Sequence, residues 1–243
     1  MSNPYILRKH TVLLLNPQNL GEQAINKIAA LAFSRQISTA QTLSVKVKTD
    51  PTLLAQGELE SLFIDGVGLV MRQDLRMEQM QLQMNKIKVS PLKALLGNIE
   101  LTQPVEGTGC IVLTESDFNR AFHTPALSDR ITALGLTLEQ LEVTFRDRHS
   151  FAIACTLHDL PTLTLPVAIS IDPDCGVILS LAPLPEPYRI LQPLVTLLRD
   201  QAQAVFNLRT FELHGISLAI QSLSFANQQV TLKAIAAMTH FPS

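Results

Sequence analysis

Residues 75–96 read LRMEQMQLQMNKIKVSPLKALL, and this stretch indicates a long strand followed by a short helix. Apolar and polar side chains alternate in three runs, which begin at Leu75, Met80 and Ile87. Alternation with a period of two is typical of a strand that buries one face. The alternation slips by one residue between runs, and a β-bulge at each slip would account for this. The stretch therefore predicts one long strand with two bulges, and a helix that begins at Pro91.

Similar alternation recurs along the chain, and two apolar helices interrupt it. Apolar residues at three- and four-residue steps predict one helix over about residues 20–37, and a second, apolar almost all round, over about 188–206. Two separate short strands are predicted over residues 62–64 and 67–71, with a bend at the glycines near residue 66. Most connections between strands are too short for parallel crossovers, so the pairing should be antiparallel.

These elements predict the fold class. We expect an α+β fold in which a long, strongly curved, mainly antiparallel sheet wraps around one or two apolar helices. Both helices should lie on the concave face of that one sheet. We expect residues 1–243 to form a single domain, with residues 1–16 as a flexible or edge segment.

Composition and charge exclude several classes of protein. Of the 243 residues, 47% are apolar and 16% are charged, which excludes a disordered chain. Because 19 Lys and Arg face 21 Asp and Glu, we expect no nucleic-acid partner. Val12 to Leu15 is too short for the apolar part of a signal peptide, which needs about 7–15 residues. We therefore expect no export signal, no transmembrane segment, and a cytoplasmic, membrane-peripheral location.

Recognisable catalytic and metal-binding motifs are missing from the sequence. The cysteines at positions 110, 155 and 175 lack CxxC spacing, and no two histidines stand four residues apart. We therefore expect buried or free thiols, no metal, no cofactor and no catalytic residue. The alternative of an enzyme acting on a lipid would have to use His123, His149 or His158 as its base.

Four of the six methionines fall within 14 residues: Met71, Met77, Met80 and Met84. Methionine is flexible and polarizable, so such a cluster either fills a core or adapts to a ligand of variable shape. If the strands enclose an acyl-chain groove, the two longest alternating strands should line it, opposite the second apolar helix. The expected lining residues are Met77, Met80, Leu82, Met84, Leu165, Val167, Ile169, Leu191, Leu194 and Leu198.

The basic residues leave two interpretations open. Lysine often guards exposed strand edges, so these side chains can simply be solvated. They can also contact acidic lipid headgroups. The residues concerned are Lys46, Lys48, Arg72, Arg76, Lys86, Lys88 and Lys93.

Three stretches carry a family resemblance: residues 43–73, residues 75–96, and residues 104–122, which read PVEGTGCIVLTESDFNRAF. Together they resemble the LmeA-like phospholipid-binding family, over about residues 20–235. The resemblance implies a fold like that of the tubular lipid-binding (TULIP) proteins, and non-enzymatic binding of a phospholipid or other acyl-chain lipid. It implies no individual site residues. The alternative is a protein-interaction or membrane-associated scaffold that uses the same fold without lipid.

Overall fold

A computed structural model describes residues 20–70, 75–95, 99–172, 176–207 and 213–241. The predictions made for residues 1–16, Met71, Arg72 and Cys175 lie outside these ranges. Within them the α-helices are α1 (Leu20–Ser34), α2 (Pro51–Ala55), α3 (Pro91–Leu95), α4 (Glu115–Phe122), α5 (Pro125–Ala133) and α6 (Gln192–Val205). A short 3-10 helix, Tyr188–Leu191, leads into α6.

The strands form two antiparallel sheets. They are β1 (Thr42–Lys48), β2 (Glu58–Val70), β3 (Arg76–Lys88), β4 (Val105–Thr114), β5 (Leu138–Phe145), β6 (Ser150–Leu157), β7 (Leu163–Asp172), β8 (Gly176–Leu181), β9 (Ile216–Ala226) and β10 (Gln229–Met238). One sheet has the order β1-β2-β3-β4-β10-β9, and the other has the order β5-β6-β7-β8. The predicted α+β class and antiparallel pairing are confirmed.

The prediction of a single sheet is wrong. β4 ends at Thr114, where α4 and α5 begin, and the next four strands pair only with one another within the described residues. β4 has β3 on one side and β10 on the other, and two consecutive helices carry the chain away from its end. Strand β5 therefore starts a new sheet instead of pairing with β4.

The burial pattern of β3 is confirmed. Its buried residues, with the two that flank it, are Leu75, Met77, Met80, Leu82, Met84, Ile87 and Val89. The predicted bulges are wrong, because β2 and β3 keep one registry along their whole length. Instead, the buried side chains of both strands change from one side of the strand to the other at the same two points of the pairing. These points lie near Gly68, whose φ is 60°, and near Lys86, whose φ is 54°. Since glycine adopts positive φ without strain, β2 passes through the bend as one strand and not as two.

Helix α1 packs against β1, one edge strand of the six-stranded sheet. The side-chain oxygen of Asn26 accepts a hydrogen bond from the backbone N–H of Val47 on β1. Just beyond the helix, the side-chain oxygen of Gln36 accepts one from the N–H of His214, two residues before β9, the other edge strand. The helix and the turn after it therefore connect β1 to the segment that leads into β9.

Helix α6 packs elsewhere. Its Gln203 Nε2 donates to the carbonyl of Val177 on β8 at 2.7 Å, and its Gln201 Nε2 donates to the carbonyl of Ala121 on α4 at 2.6 Å. The expectation that α6 shares one sheet face with α1 is wrong. The chain between β8 and α6 is short, so the helix folds back along the strand that precedes it.

A phenylalanine cluster joins the two halves of the core. The ring of Phe118 on α4 lies 5.2–5.8 Å, centroid to centroid, from four others: Phe122, Phe145, Phe151 and Phe206. Phe225 of β9 contacts two members of this group, at 4.7 and 6.3 Å. Aromatic pairs at these separations stabilise beyond their buried area. The cluster connects α4, the end of α6, the four-stranded sheet and β9, an edge strand of the six-stranded sheet.

Candidate functional site

The ten residues predicted to line a lipid groove all belong to one buried core. They come from β3, from β7, and from α6 with the turn before it, and none is more than 7% exposed. Met77, Met80, Val167, Leu194 and Leu198 are completely inaccessible to water. A side chain with no accessible surface has no neighbouring space as wide as a water molecule. In the arrangement described, this region is therefore packed shut.

An open cleft lies beside this core, between β8 and α6. Its volume is about 360 Å³. Leu179 and Val195, which line it, are themselves buried core residues, so the cleft floor is part of the core. The remaining lining residues are Ser180, Leu181, Ala182, Pro183, Gln192, Thr196 and Arg199.

Among the described residues, β8 pairs with a single strand, β7, and its other side faces this cleft. The carbonyl of Val177 accepts from Gln203 of α6, so Val177 points away from β7. Backbone direction alternates along an antiparallel strand, so Leu179 and Leu181 point the same way. The pairing of Leu179 with Ile169 on β7 supports this assignment. The N–H of Ile169 donates to the carbonyl of His149, so the backbone groups of Ile169 point away from β8 and those of Leu179 point away from β7. The cleft therefore offers backbone donors and acceptors next to apolar side chains.

The side-chain hydrogen bonds from helix α6 to neighbouring elements lie at its C-terminal end. Gln201 and Gln203 make the two described above, whereas Leu191 at the N-cap provides no capping hydrogen bond. The turn before the helix carries Ile190, which is 84% exposed. Among the described residues, the first turns of α6, which form one wall of the cleft, are held to the rest of the fold by apolar packing.

A family model for LmeA-like phospholipid-binding proteins matches residues 17–235. The chain belongs to the LmeA-like phospholipid-binding family. The family predicted from the sequence is confirmed. Comparisons with curated proteins and with solved structures gave no match. Among the described residues of this LmeA-like chain, no helix is long and apolar enough to cross a membrane.

The basic residues of this LmeA-like protein have different surroundings. Arg76, considered as a headgroup contact, instead forms an ion pair of 2.9 Å with the buried Asp117. The hydrogen bonds that Arg76 donates to Asp117 and then to Glu78 raise the pKa of its guanidinium, which stays charged. Exposed ion pairs join Lys48 to Glu60 and Lys93 to Glu100. Lys46, Lys86 and Lys88 are exposed, so both a solvated edge and a contact with lipid headgroups remain open for them.

Sequence reasoning missed Arg199, which lines the β8–α6 cleft. Its guanidinium contacts the carboxylate of Asp200 at 2.8 and 3.1 Å and is half exposed. On the sequence, Arg199 belongs to the polar side of an amphipathic helix, which is an ordinary solvent-facing position. The nearby proline-rich turn was a usable signal, because it folds α6 back against β8.

The three histidines considered as bases are all exposed. Nδ1 of His158 lies 2.9 Å from Glu139, and Nδ1 of His123 lies 2.7 Å from the carbonyl of Asn119. The backbone N–H of His149 donates to Asp147. Within the part of the chain that the structure describes, none of these imidazoles contacts both a hydroxyl and a carboxylate, the arrangement that nucleophilic catalysis uses.

A second cleft, of about 490 Å³, lies where α4 begins beside the β9–β10 turn. All of its lining residues are polar: Thr114, Glu115, Ser116, Asn119, Asn227, Gln228 and Gln229. None of these residues belongs to the buried core, whereas Leu179 and Val195 of the first cleft do. The β8–α6 cleft is therefore the better candidate for a lipid.

Proposed function

We propose that this chain binds a phospholipid, or another acyl-chain lipid, without catalysis, and that the lipid enters between β8 and α6. The observation that carries the proposal is the position of this cleft. Its floor is the apolar core, and one of its walls is a helix whose side-chain hydrogen bonds to neighbouring elements lie at its C-terminal end in the described part of the chain. Membership of a phospholipid-binding family supports the same conclusion.

The acyl chain would occupy space that the first turns of α6 fill in the closed form. Leu191, Leu194 and Leu198 contact the core there, and they would exchange protein contacts for contacts with the lipid. Such an exchange of one apolar partner for another costs little. Each methylene kept out of water contributes about 0.8 kcal/mol, so a long chain held in the site is stabilised against release into water.

The headgroup would lie at the cleft rim. Arg199 can turn from Asp200 to a phosphate, which a guanidinium binds with two parallel hydrogen bonds. The hydroxyls of Ser180 and Thr196 and the edge of β8 supply further polar groups. Exposed Ile190 lies two residues before Gln192 in the same rim, where it can enter a membrane surface during transfer.

Binding at a membrane should be peripheral and only weakly dependent on salt. The net charge is −2, so attraction to acidic lipid is small, and acyl-chain burial is not screened by ions. Flotation with phosphatidylglycerol vesicles should therefore persist at raised ionic strength. Flotation that collapses between low and moderate salt would assign the contact to the exposed lysines instead. The cytoplasmic location expected from the sequence stays a prediction.

Two tryptophan variants of α6 test the lipid site. Thr196→Trp fills the cleft, whereas Ala204→Trp places the same side chain at an exposed position on the same helix outside the cleft. After gentle purification, native mass spectrometry should find lipid on the wild type and on Ala204→Trp. It should find far less on Thr196→Trp. Equal lipid on both folded variants would contradict entry at this cleft.

One observation favours the scaffold alternative. The ten predicted lining residues are buried in the core, and β8 presents an edge that another strand could join. A wild-type protein that carries no lipid in native mass spectrometry, and that takes up none from vesicles, would favour this alternative.

A further inference from the structure

Two exposed histidines face each other at the ends of paired strands. His214 comes just before β9 and His240 just after β10, and Nδ1 of His214 lies 3.1 Å from Nε2 of His240. The backbone holds them together, because the N–H of Thr239 donates to the carbonyl of Gly215 at 2.9 Å. A side chain at Gly215 would have no room against His240. The position of the pair is therefore set by the strand ends.

The facing nitrogens leave a place for a cation. A neutral imidazole has one N–H and one lone pair. Nδ1 of His240 lies 3.1 Å from the hydroxyl oxygen of Thr239. When that nitrogen carries the proton and donates to the hydroxyl, Nε2 of His240 presents its lone pair to His214. Two lone pairs at this distance repel each other unless a proton or a metal ion lies between them.

We propose that His214 and His240 bind a divalent first-row transition ion, such as Zn²⁺. Two nitrogens that each lie about 2.0–2.1 Å from one such ion are about 2.9–3.4 Å apart, for octahedral to tetrahedral angles. The observed 3.1 Å falls within this range. The Thr239 hydroxyl orients the His240 ring, as hydrogen-bond acceptors do for metal-bound imidazoles.

The site has two protein ligands and an open side. No group of three or more His, Cys, Asp and Glu residues suited to a metal is present in the described ranges, so water would complete the coordination. Both imidazoles are exposed, and the ion can reach them without a change in the fold. Bound metal would join the start of β9 to the end of β10, beside the contact of His214 with Gln36.

Thermal unfolding of the chelator-treated full chain with added Zn²⁺ tests the site. A ligand that binds only the native state raises Tm by mass action, so we expect a saturable rise of several degrees. His214→Ala and His240→Ala should each remove most of this rise. His158→Ala is the matched control, because His158 is equally exposed and lies beside Glu139. It should keep the full rise.

Electron paramagnetic resonance with one equivalent of Cu²⁺ gives an independent readout. Wild type should show two nitrogen donors, and each of the two alanine variants at most one. The proposal is overturned by a wild type whose Tm does not respond to Zn²⁺, or by a response that survives in both variants. It is equally overturned by loss of the response in His158→Ala. If either variant fails to fold, the number of nitrogen donors in the wild-type spectrum tests the proposal: two donors support it, and fewer overturn it.

Discussion

Arg76 and Asp117 form an ion pair that joins β3 to α4, and the two residues are 41 positions apart in the sequence. One guanidinium nitrogen lies 2.9 and 3.2 Å from the two carboxylate oxygens of Asp117, whose side chain is 1% exposed. The same carboxylate accepts from the N–H and the hydroxyl of Thr114, which closes a capping box at the start of α4. One buried carboxylate therefore fixes the helix to both β3 and β4.

Removal of Arg76 should be costly. Arg76→Ala leaves the Asp117 carboxylate buried without its cation, and breaking a buried pair from one side costs about 3–5 kcal/mol. The matched control is Lys48→Ala, which removes an exposed ion pair with Glu60 and should cost about 0–1 kcal/mol. Urea unfolding gives both values. Equal, small losses in the two variants would show that the buried pair does not stabilise the junction.

The short-range features of this junction were predictable, and the long-range ones were not. The capping box that begins at Thr114 and the buried positions of β3 follow from local spacing, because a period or a cap depends on neighbours in the sequence. Alternation says which side of a strand is buried. It does not say which strand lies beside it, so neither the division into two sheets nor the pairing of Arg76 with Asp117 could be predicted.

The candidate site also has features that could be predicted from the sequence and features that could not. The residues predicted to line a lipid groove, such as Met80 and Leu194, are buried in the core and do not line the β8–α6 cleft. The cleft itself arises because the polar side of α6 meets the free edge of β8. That encounter is a property of the tertiary fold, and Arg199 acquires its place in the cleft only through it.

Asn119 protects a second free strand edge. Its side chain donates to the carbonyl of Val143 on β5 at 2.8 Å and accepts from the N–H of Val143 at 2.7 Å, as a neighbouring strand would. Asn119→Ala should therefore destabilise the fold by about 1–3 kcal/mol, because two backbone groups lose their partners. It should also promote association through the exposed edge.

Thr132→Ala is the control for Asn119→Ala. It removes a helix hydroxyl that bonds only the carbonyl of Ser128 on the exposed side of α5. Its stability should change by less than about 0.5 kcal/mol, as for most surface substitutions. Urea unfolding and light scattering measure both effects. An Asn119→Ala protein as stable and as monodisperse as Thr132→Ala would contradict the role assigned to Asn119.

Cys155 should make the fold sensitive to alkali. Burial raises the pKa of its thiol from 9.0 to about 11. Between these values the unfolded chain has lost the proton and the native chain keeps it, so stability falls as pH rises from 9 to 11. The fall due to this group is at most about 1.4 kcal/mol per pH unit. Cys155→Ala should reduce the slope in urea titrations over this window, and an unchanged slope would contradict the assignment.

The displacement of α6 that lipid entry requires can be tested without lipid. Hydrogen exchange reports local opening. If the first turns of α6 separate from the core while its C-terminal end stays in place, amides of residues 195–198 should exchange faster than those of residues 201–205, which lie beside the bonds from Gln201 and Gln203. Gln203→Ala should raise exchange in the second group while leaving the first unchanged. Uniform exchange along α6, or slower exchange in its first turns, would mean that the helix does not open from its N-terminal end.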